Sequence, residues 1–523
     1  MKTKLFILAI AASFALVSCD LNQVPGGSTI TEDQYQDMDN VVEGTVKGVY
    51  SLLYAYGGEH DAFGQRSLDM FGDLCCGDMA MKTQRYGWFT TDEYGLTYQR
   101  RGTFWSFYYQ IIRACNKGIN ALNSQGVPPL DYDPATISDQ DYINGYYYAE
   151  LLTMRGWAYA ALQRYFCKTH NEIDINTELS VPLYTELDTE ADTTLGAPRS
   201  TAIDVYRRVE EDLNMAIKYF EAFNGVTPSS KLEASIDVAR MTLAYSYLNK
   251  GEYEKALDIA EDLIQTTTAS LLPNAEVLTT GFNDVKHKNW IWGQDVTIET
   301  TTSLASFFGQ CDIYSYSYAS AGDVKGVDDN LLKEIVALGW DIREYWWGNY
   351  YRLDTKNNAD YQYAPDGKFY TAASTEIMGD RDWLSDNLFM RLEPAYLIAA
   401  EAAWRIGGKD AEALNYLTQI TDQRLKEGAE TAYADYKTAL AADHDALGEA
   451  IRYNWRVEMW GEGYGLQTFR RWGKAVNLGE NHLRSNKNIV PTTARIFTFE
   501  IPTSESMYNP WIRSTTDMVV KQN

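Results

Sequence analysis

Two stretches of this chain repeat each other's spacing, and that repetition restricts the fold more than any other feature. In 237–264, Tyr247 precedes Gly251, followed by Tyr253, Ala256 and Leu263; in 394–424, Trp404 precedes Gly408, followed by Ala413 and Ile420 at the same offsets. A large aromatic residue, a turn glycine, a small alanine and then an apolar residue describe two helices packed closely around a short turn. Helical spacing recurs elsewhere. Val42, Val46, Val49 and Leu53 share one helix face, as do Phe104, Tyr108, Ile111 and Cys115, and Val205, Val209, Leu213, Ala216 and Phe220.

The run Gly251-Glu252-Tyr253-Glu254-Lys255-Ala256 resembles the turn of a tetratricopeptide repeat, a unit that buries its apolar face by stacking on neighbours. The predicted fold class is mostly α: a tetratricopeptide-repeat-like helical scaffold with long aromatic-rich loop insertions and minor β structure. Helix pairs are expected near 33–56, 103–123, 145–266 and 388–425. Two irregular segments, 57–102 and 271–387, interrupt them. Loops of that length are usually functional or disordered, and their Tyr and Trp content argues against disorder. They form the predicted loop-rich binding face. Trp290 and Trp292, in a strand-like run, read as core.

The N-terminus reads as an export signal. Lys2 and Lys4 precede an apolar run from Leu5 to Val17, too short to cross a bilayer. Leu16-Val17-Ser18-Cys19 resembles a lipobox, so 1–18 are expected to be a signal peptide, Cys19 the lipidation site and 19–32 a lipidated tether. Attachment through acyl chains alone is the expected membrane contact. A formal charge of −26 disfavours phosphate backbones, so no nucleic-acid partner is expected.

Catalytic constellations are missing from the sequence. The five histidines are scattered, with no HExxH pair, no GxSxG elbow and no Walker loop. Gly461-Glu462-Gly463-Tyr464-Gly465 lacks nucleotide-loop spacing. Asp131, Asp133, Asp139 and Asp141 lack an EF-hand's glycine and terminal glutamate and read as a solvated acidic loop. Neither catalysis nor a cofactor nor a metal is expected. Cys115 and Cys167 read as buried small residues, and the remaining cysteines do not make a disulfide framework.

Several motifs, in order, resemble the SusD/RagB outer-membrane nutrient-binding lipoproteins of Bacteroidetes. Trp105 through Asn116 is similar to the family's W-x-x-x-Y-x-x-I-x-x-x-N helix, and Met154–Tyr159 to its F-x-R-A-x-A-Y segment. Arg199 to Leu213 resembles R-x-x-x-x-E-V-Y-x-x-I-x-x-D-L, with Asp204 for the glutamate; Arg391 to Ala402 resembles R-L-A-E-x-Y-L-x-x-A-E-A, with Pro394 for a glutamate. The sharpest match is Arg456-Val457-Glu458-Met459-Trp460-Gly461-Glu462-Gly463, followed by Arg471-Trp472-Gly473, within a C-terminal signature spanning 447–510. Arg456, Glu458, Glu462 and Arg471 are expected to form buried ion pairs that fix geometry rather than bind ligand.

The resemblance implies a SusD-like helical domain over 33–523 with four repeat-like helix pairs. It also implies a SusC-like TonB-dependent transporter as partner, a glycan ligand, and outer-membrane localisation by lipid anchor, facing the cell surface. A surface glycoside hydrolase and a peptide-transporter lid are the alternative functions. Sugar rings present apolar C–H faces that stack on flat aromatic rings. On that ground the candidate ligand-binding residues are Tyr86, Trp88 and Tyr94 in the first irregular segment, and Tyr314, Tyr316, Trp346 and Trp347 in the second.

Overall fold

The computed structural model describes residues 41–55, 59–89, 101–225, 231–348, 361–371, 376–483 and 492–512. The signal, Cys19 and the tether lie outside them. In chain order the elements are α1 (Val41–Ala55), α2 (Gln65–Cys76), β1 (Met79–Met81), α3 (Arg101–Gln125), α4 (Asp139–Phe166), α5 (Glu190–Leu195), α6 (Ala202–Ala222), α7 (Ile236–Lys250) and α8 (Tyr253–Thr266). There follow β2 (Trp290–Gln294), α9 (Phe307–Cys311), β3 (Lys325–Val327), α10 (Asp329–Leu338), β4 (Asn387–Arg391), α11 (Glu393–Ile406), α12 (Asp410–Thr421), α13 (Glu430–Ala442), α14 (His444–Glu458), α15 (Gly465–Trp472) and α16 (Thr503–Tyr508). Helices pack in succession along α3, α4, α6, α7 and α8, and α8 then meets α11, which packs on α12.

The periodic faces are the core. Val42, Val46, Val49 and Leu53 of α1 are buried, as are Phe104, Tyr108, Ile111 and Cys115 of α3 and the Val205–Phe220 stripe of α6. Helix starts follow local chemistry: the Ser138 hydroxyl accepts the Asp141 N–H at 3.0 Å at the head of α4, and Asp443 accepts from Asp445 and Ala446 at the head of α14. Asp133 takes the Ala135 N–H at 2.9 Å. Part of the acidic run 131–141 therefore serves turn and cap.

The echoed turns match their reading. At the end of α7 the Gly251 N–H donates to Leu248 and the Glu252 N–H to Tyr247 at 3.0 Å, a Schellman closure. Gly251 has φ +86°, and a Cβ there would lie 2.8 Å from the His170 ring, so both conformation and space demand glycine. Ala256 and Ala413, five residues past each turn glycine, are fully buried where their helices meet neighbours.

The signature residues form a dry electrostatic knot. Glu458, at the end of α14, accepts from Arg424 (2.7 Å), Arg391 (2.8 Å) and Arg343 (2.9 Å). Glu462 pairs with Arg391 (2.8 Å) and Lys368 (2.7 Å), while Asp341 holds Arg343 and Glu393 holds Arg391 and Arg424. Arginine, lysine and carboxylate numbers balance: Arg343, Arg391, Arg424 and Lys368 face Asp341, Glu393, Glu458 and Glu462, all buried. Burial alone would raise the Glu458 carboxyl, but Arg424, Arg391 and Arg343 outweigh it and hold the group well below the ordinary glutamate range. Arg471 pairs with Glu401 at 2.7 Å, and Arg456 with Asp78 at 2.7 Å. Through Asp341, Arg343 and Lys368, this knot ties two parts of the second irregular segment, 341–348 and 361–371, to the helical scaffold.

The glycine run at 461–465 has an internal use. The Gly461 and Gly465 N–H groups donate to the Asp73 carboxylate at 2.7 and 3.0 Å, docking α2 against the start of α15.

Candidate functional site: an aromatic face where the irregular segments meet

β1 lies in the first irregular segment and β3 in the second, and they pair antiparallel, Met79 with Val327 and Met81 with Lys325. The pairing brings the run after β1 onto the run before β3. Thr83 donates its hydroxyl to the Gly322 carbonyl at 2.7 Å, the Arg85 N–H donates to the Asp323 carboxylate at 3.2 Å, and the Arg85 guanidinium to the Ala321 carbonyl at 2.6 Å. Asp323 also pairs with Lys325, both fully buried. Buried charge beneath the loops thus holds an exposed surface in register.

Aromatic rings cover that frame. Trp88 stacks on His60 with centroids 5.3 Å apart and an interplanar angle of 29°. The His60 Nδ1 and the Tyr318 hydroxyl are 3.0 Å apart, and Tyr86 meets Tyr318 edge-on at 5.0 Å. Tyr86 is 52% exposed; His60, Trp88 and Tyr318 are half-buried, which leaves ring surface to solvent. Burial raises the Tyr318 phenol pKa; a hydrogen bond from the Trp88 side chain opposes this, while Tyr86, Tyr316 and Asp323 push the same way as burial. Those hydroxyls therefore share one neighbourhood.

Two residues earlier, Tyr316 is exposed and carries the Arg381 guanidinium 4.4 Å from its ring centroid. The indole N–H of Trp383 donates to the Tyr316 carbonyl at 2.9 Å, and the Tyr316 N–H donates to the Asp380 carbonyl at 2.7 Å. Asp312 underlies this turn, accepting from the Tyr314 and Ser315 N–H groups; burial pushes its carboxyl up to about 6.

Of the candidates read from sequence, Tyr86, Trp88 and Tyr316 lie on this face. Tyr94 lies outside the described residues. Tyr314, Trp346 and Trp347 are corrections: each is 0% exposed and offers no ring face to a ligand. Trp346 donates its indole N–H to the Val277 carbonyl at 3.0 Å, with the Lys368 ammonium 4.7 Å from its ring. Trp347 packs edge-on against Trp460 at 5.4 Å, and the Tyr314 hydroxyl is bonded to Asp366 within a small satellite core. His60, Tyr318 and Trp383 were not singled out from the sequence. Tyr318 carried a usable signal, two residues from Tyr316; the lone His60 carried none.

A second concavity of about 580 Å³ lies between α3, the 184–196 segment and α16. Its polar groups are largely committed: the Tyr109 hydroxyl donates to Pro182, the Asn116 amide to Tyr184, and Arg155 occupies the Asn116 oxygen. It is the less developed of the two sites.

Fold and face together define a helix-repeat scaffold that presents an aromatic surface on loops inserted between its helix pairs. The sequence model of the SusD family matches residues 204–512, more than half of the chain, so the protein belongs to the SusD family. A second family model, described as starch-binding associating with outer membrane, matches residues 25–251. Among solved structures, a SusD-like carbohydrate binding protein from Bacteroides vulgatus shares 20% identity and superposes with a TM-score of 0.71, over 92% of this chain and 98% of that one. A SusD superfamily protein from the same species gives 20% identity and a TM-score of 0.72, over 90% and 96%. B. fragilis NanU gives 15% identity and 0.63, over 96% and 100%. No curated protein matches the chain. At these identities the superpositions establish the fold.

Proposed function

We propose that this protein binds oligosaccharides outside the cell, through the Tyr86–Trp88–His60–Tyr318 cluster and its Tyr316–Arg381–Trp383 extension, and delivers them to a SusC-like TonB-dependent transporter. The observation that carries this reading is the partly exposed ring surface of Trp88 and Tyr86, held in place by hydrogen-bonded loops. A fixed ring loses little freedom when a sugar's C–H face stacks on it, so little of the contact is spent on ordering. Family membership and a neighbour named as a carbohydrate binding protein support the same reading. The protein acts here as a binder without chemistry of its own. The carboxylates beneath the face are occupied: Asp323 by Lys325, and Asp380 by Thr371 and the Asp382 N–H.

Trp88→Ala is expected to weaken glycan binding by about 0.5–1.5 kcal/mol, a threefold to twelvefold loss. Calorimetric titration against a glycan panel reads this directly. Unchanged affinity in the variant removes Trp88 from the site, and a wild-type protein that binds no glycan removes the function.

The same reading places the protein on the outer membrane through acyl chains at Cys19 and by no other membrane contact. No described helix is long and apolar enough to cross a membrane. Cys19→Ala is expected to move the protein from the membrane pellet to the soluble fraction. Continued sedimentation with incorporation of a palmitate analogue contradicts the anchor.

A further inference from the structure

Among the described residues, carboxylates neutralise most arginines. Arg155, Arg343, Arg391, Arg424, Arg456 and Arg471 are buried against them, and even the surface-facing Arg207 and Arg208 pair with Asp204 and Glu211. In a protein with a formal charge of −26 this is the expected outcome, since acids outnumber bases. Arg85 and Arg381 depart from it, as does the exposed Arg113 of α3, which lies away from the aromatic face. Arg85 spends one guanidinium hydrogen bond on the Ala321 carbonyl, and Arg381 lies over the Tyr316 ring; among the described residues neither forms an ion pair. Both are exposed, on the two sides of the turn that carries Tyr316 and Tyr318.

Three of the nearby acids are turned to other work. Asp323 is fully buried against Lys325, Asp312 accepts from Ser315 and Tyr314, and Asp380 accepts from Thr371 and the Asp382 N–H. Those three carboxylates therefore point inward while the guanidinium groups point outward; Glu59 and Asp382 are exposed acids in the same region. Each guanidinium is also positioned in advance, one by a carbonyl and one by a ring, so less side-chain freedom is lost on binding. Their planar donor forks match carboxylate and sulfate oxygens.

We propose that the ligand of this face is an anionic glycan, whose carboxylate or sulfate groups are held by Arg85 and Arg381 while its rings stack on Trp88 and Tyr86. This inference rests on the glycan-binding reading above and narrows it to a substrate class. The overall negative charge does not forbid it, because at 0.1 M salt charges beyond about 10 Å are largely screened and the two arginines act locally.

The test uses the mature full-length protein on an array holding neutral, uronic-acid and sulfated oligosaccharides, followed by calorimetric titration of the best binder and its neutralised counterpart. Oligogalacturonate against its methyl ester, and a sulfated glycosaminoglycan fragment against its desulfated form, separate the two anion types. An anionic glycan is expected to bind more tightly than its neutral counterpart, with affinity falling as salt rises. In the double variant Arg85→Gln, Arg381→Gln that preference for the anionic over the neutral counterpart is expected to drop by about twofold to thirtyfold. A thermal melt of the double variant confirms that it folds, and Arg85→Lys, Arg381→Lys should restore part of the preference. Equal or tighter binding of neutral glycans, or an unaltered preference in the folded Gln variant, overturns the anionic class and leaves glycan binding standing. Absence of binding to every glycan overturns both.

Discussion

Glu458→Gln is expected to destabilise the protein by about 3–5 kcal/mol, the scale for removing one partner from a buried ion pair. The change keeps shape and volume and deletes one negative charge from a knot in which four cations face four carboxylates. Arg343, Arg391 and Arg424 would share a net positive charge in a dry interior, with Asp341, Glu393 and Glu462 left to compensate. Three elements would feel the loss, because these arginines reach Glu458 from the 342–346 turn, the end of β4 and the turn after α12. Urea unfolding followed by tryptophan fluorescence measures the effect, and a midpoint equal to wild type refutes the structural role assigned to Glu458. Acid should act on the same bonds. The Glu458 carboxyl is held below its ordinary value, so its stabilisation is complete above that value and is lost as pH falls through the folded pKa. Glu401, opposed by burial but held down to about 2 by Arg471 and Arg405, follows the same sign.

The helical scaffold was legible because its information is local. The 4-3-4 spacing of Val42 to Leu53 states which face is buried, and Gly251 with Ala256 states a turn followed by a close contact; no distant residue is needed to read either. The ion knot was partly legible. Arg456, Glu458, Glu462 and Arg471 form the expected buried pairs, but their partners Asp78, Arg343 and Lys368 lie 378, 115 and 94 residues away, and no spacing rule links them. The binding face was legible as a region and only partly as residues. A tryptophan flanked by polar residues and glycine reads the same whether its loop lies on the surface or folds back. Around Trp346 the loop folds back, because Lys368, bonded to the Glu458 and Trp460 carbonyls and to Glu462, draws the 361–371 strap over it. At Trp88 the strand pair β1–β3 turns the loop outward instead. Arg85 and Arg381 escaped notice because an unpaired guanidinium is defined by what surrounds it in space.

Trp346→Ala tests that distinction and should have the other large effect. The indole is fully buried among Phe282, Trp347 and the Lys368 ammonium, and its N–H is satisfied by the Val277 carbonyl. Truncation removes a large apolar volume, strips the cation of a ring face and leaves the Val277 carbonyl without its donor. The expected loss is about 3–5 kcal/mol, typical of tryptophan truncation in a core. Trp88 has the same chemistry and lies likewise in a loop, but it keeps part of its ring in solvent, stacking on His60 and meeting Tyr318 edge-on at 6.3 Å. Its truncation should cost far less stability and act on ligand affinity. Measured side by side, the two variants should give opposite patterns: a large fall in urea midpoint for Trp346→Ala, and a near-native midpoint with weakened glycan titration for Trp88→Ala. A Trp346→Ala protein of native stability would mean that the 361–371 strap does not close over this ring, and the inner part of the second segment would then return to the list of ligand-facing surfaces.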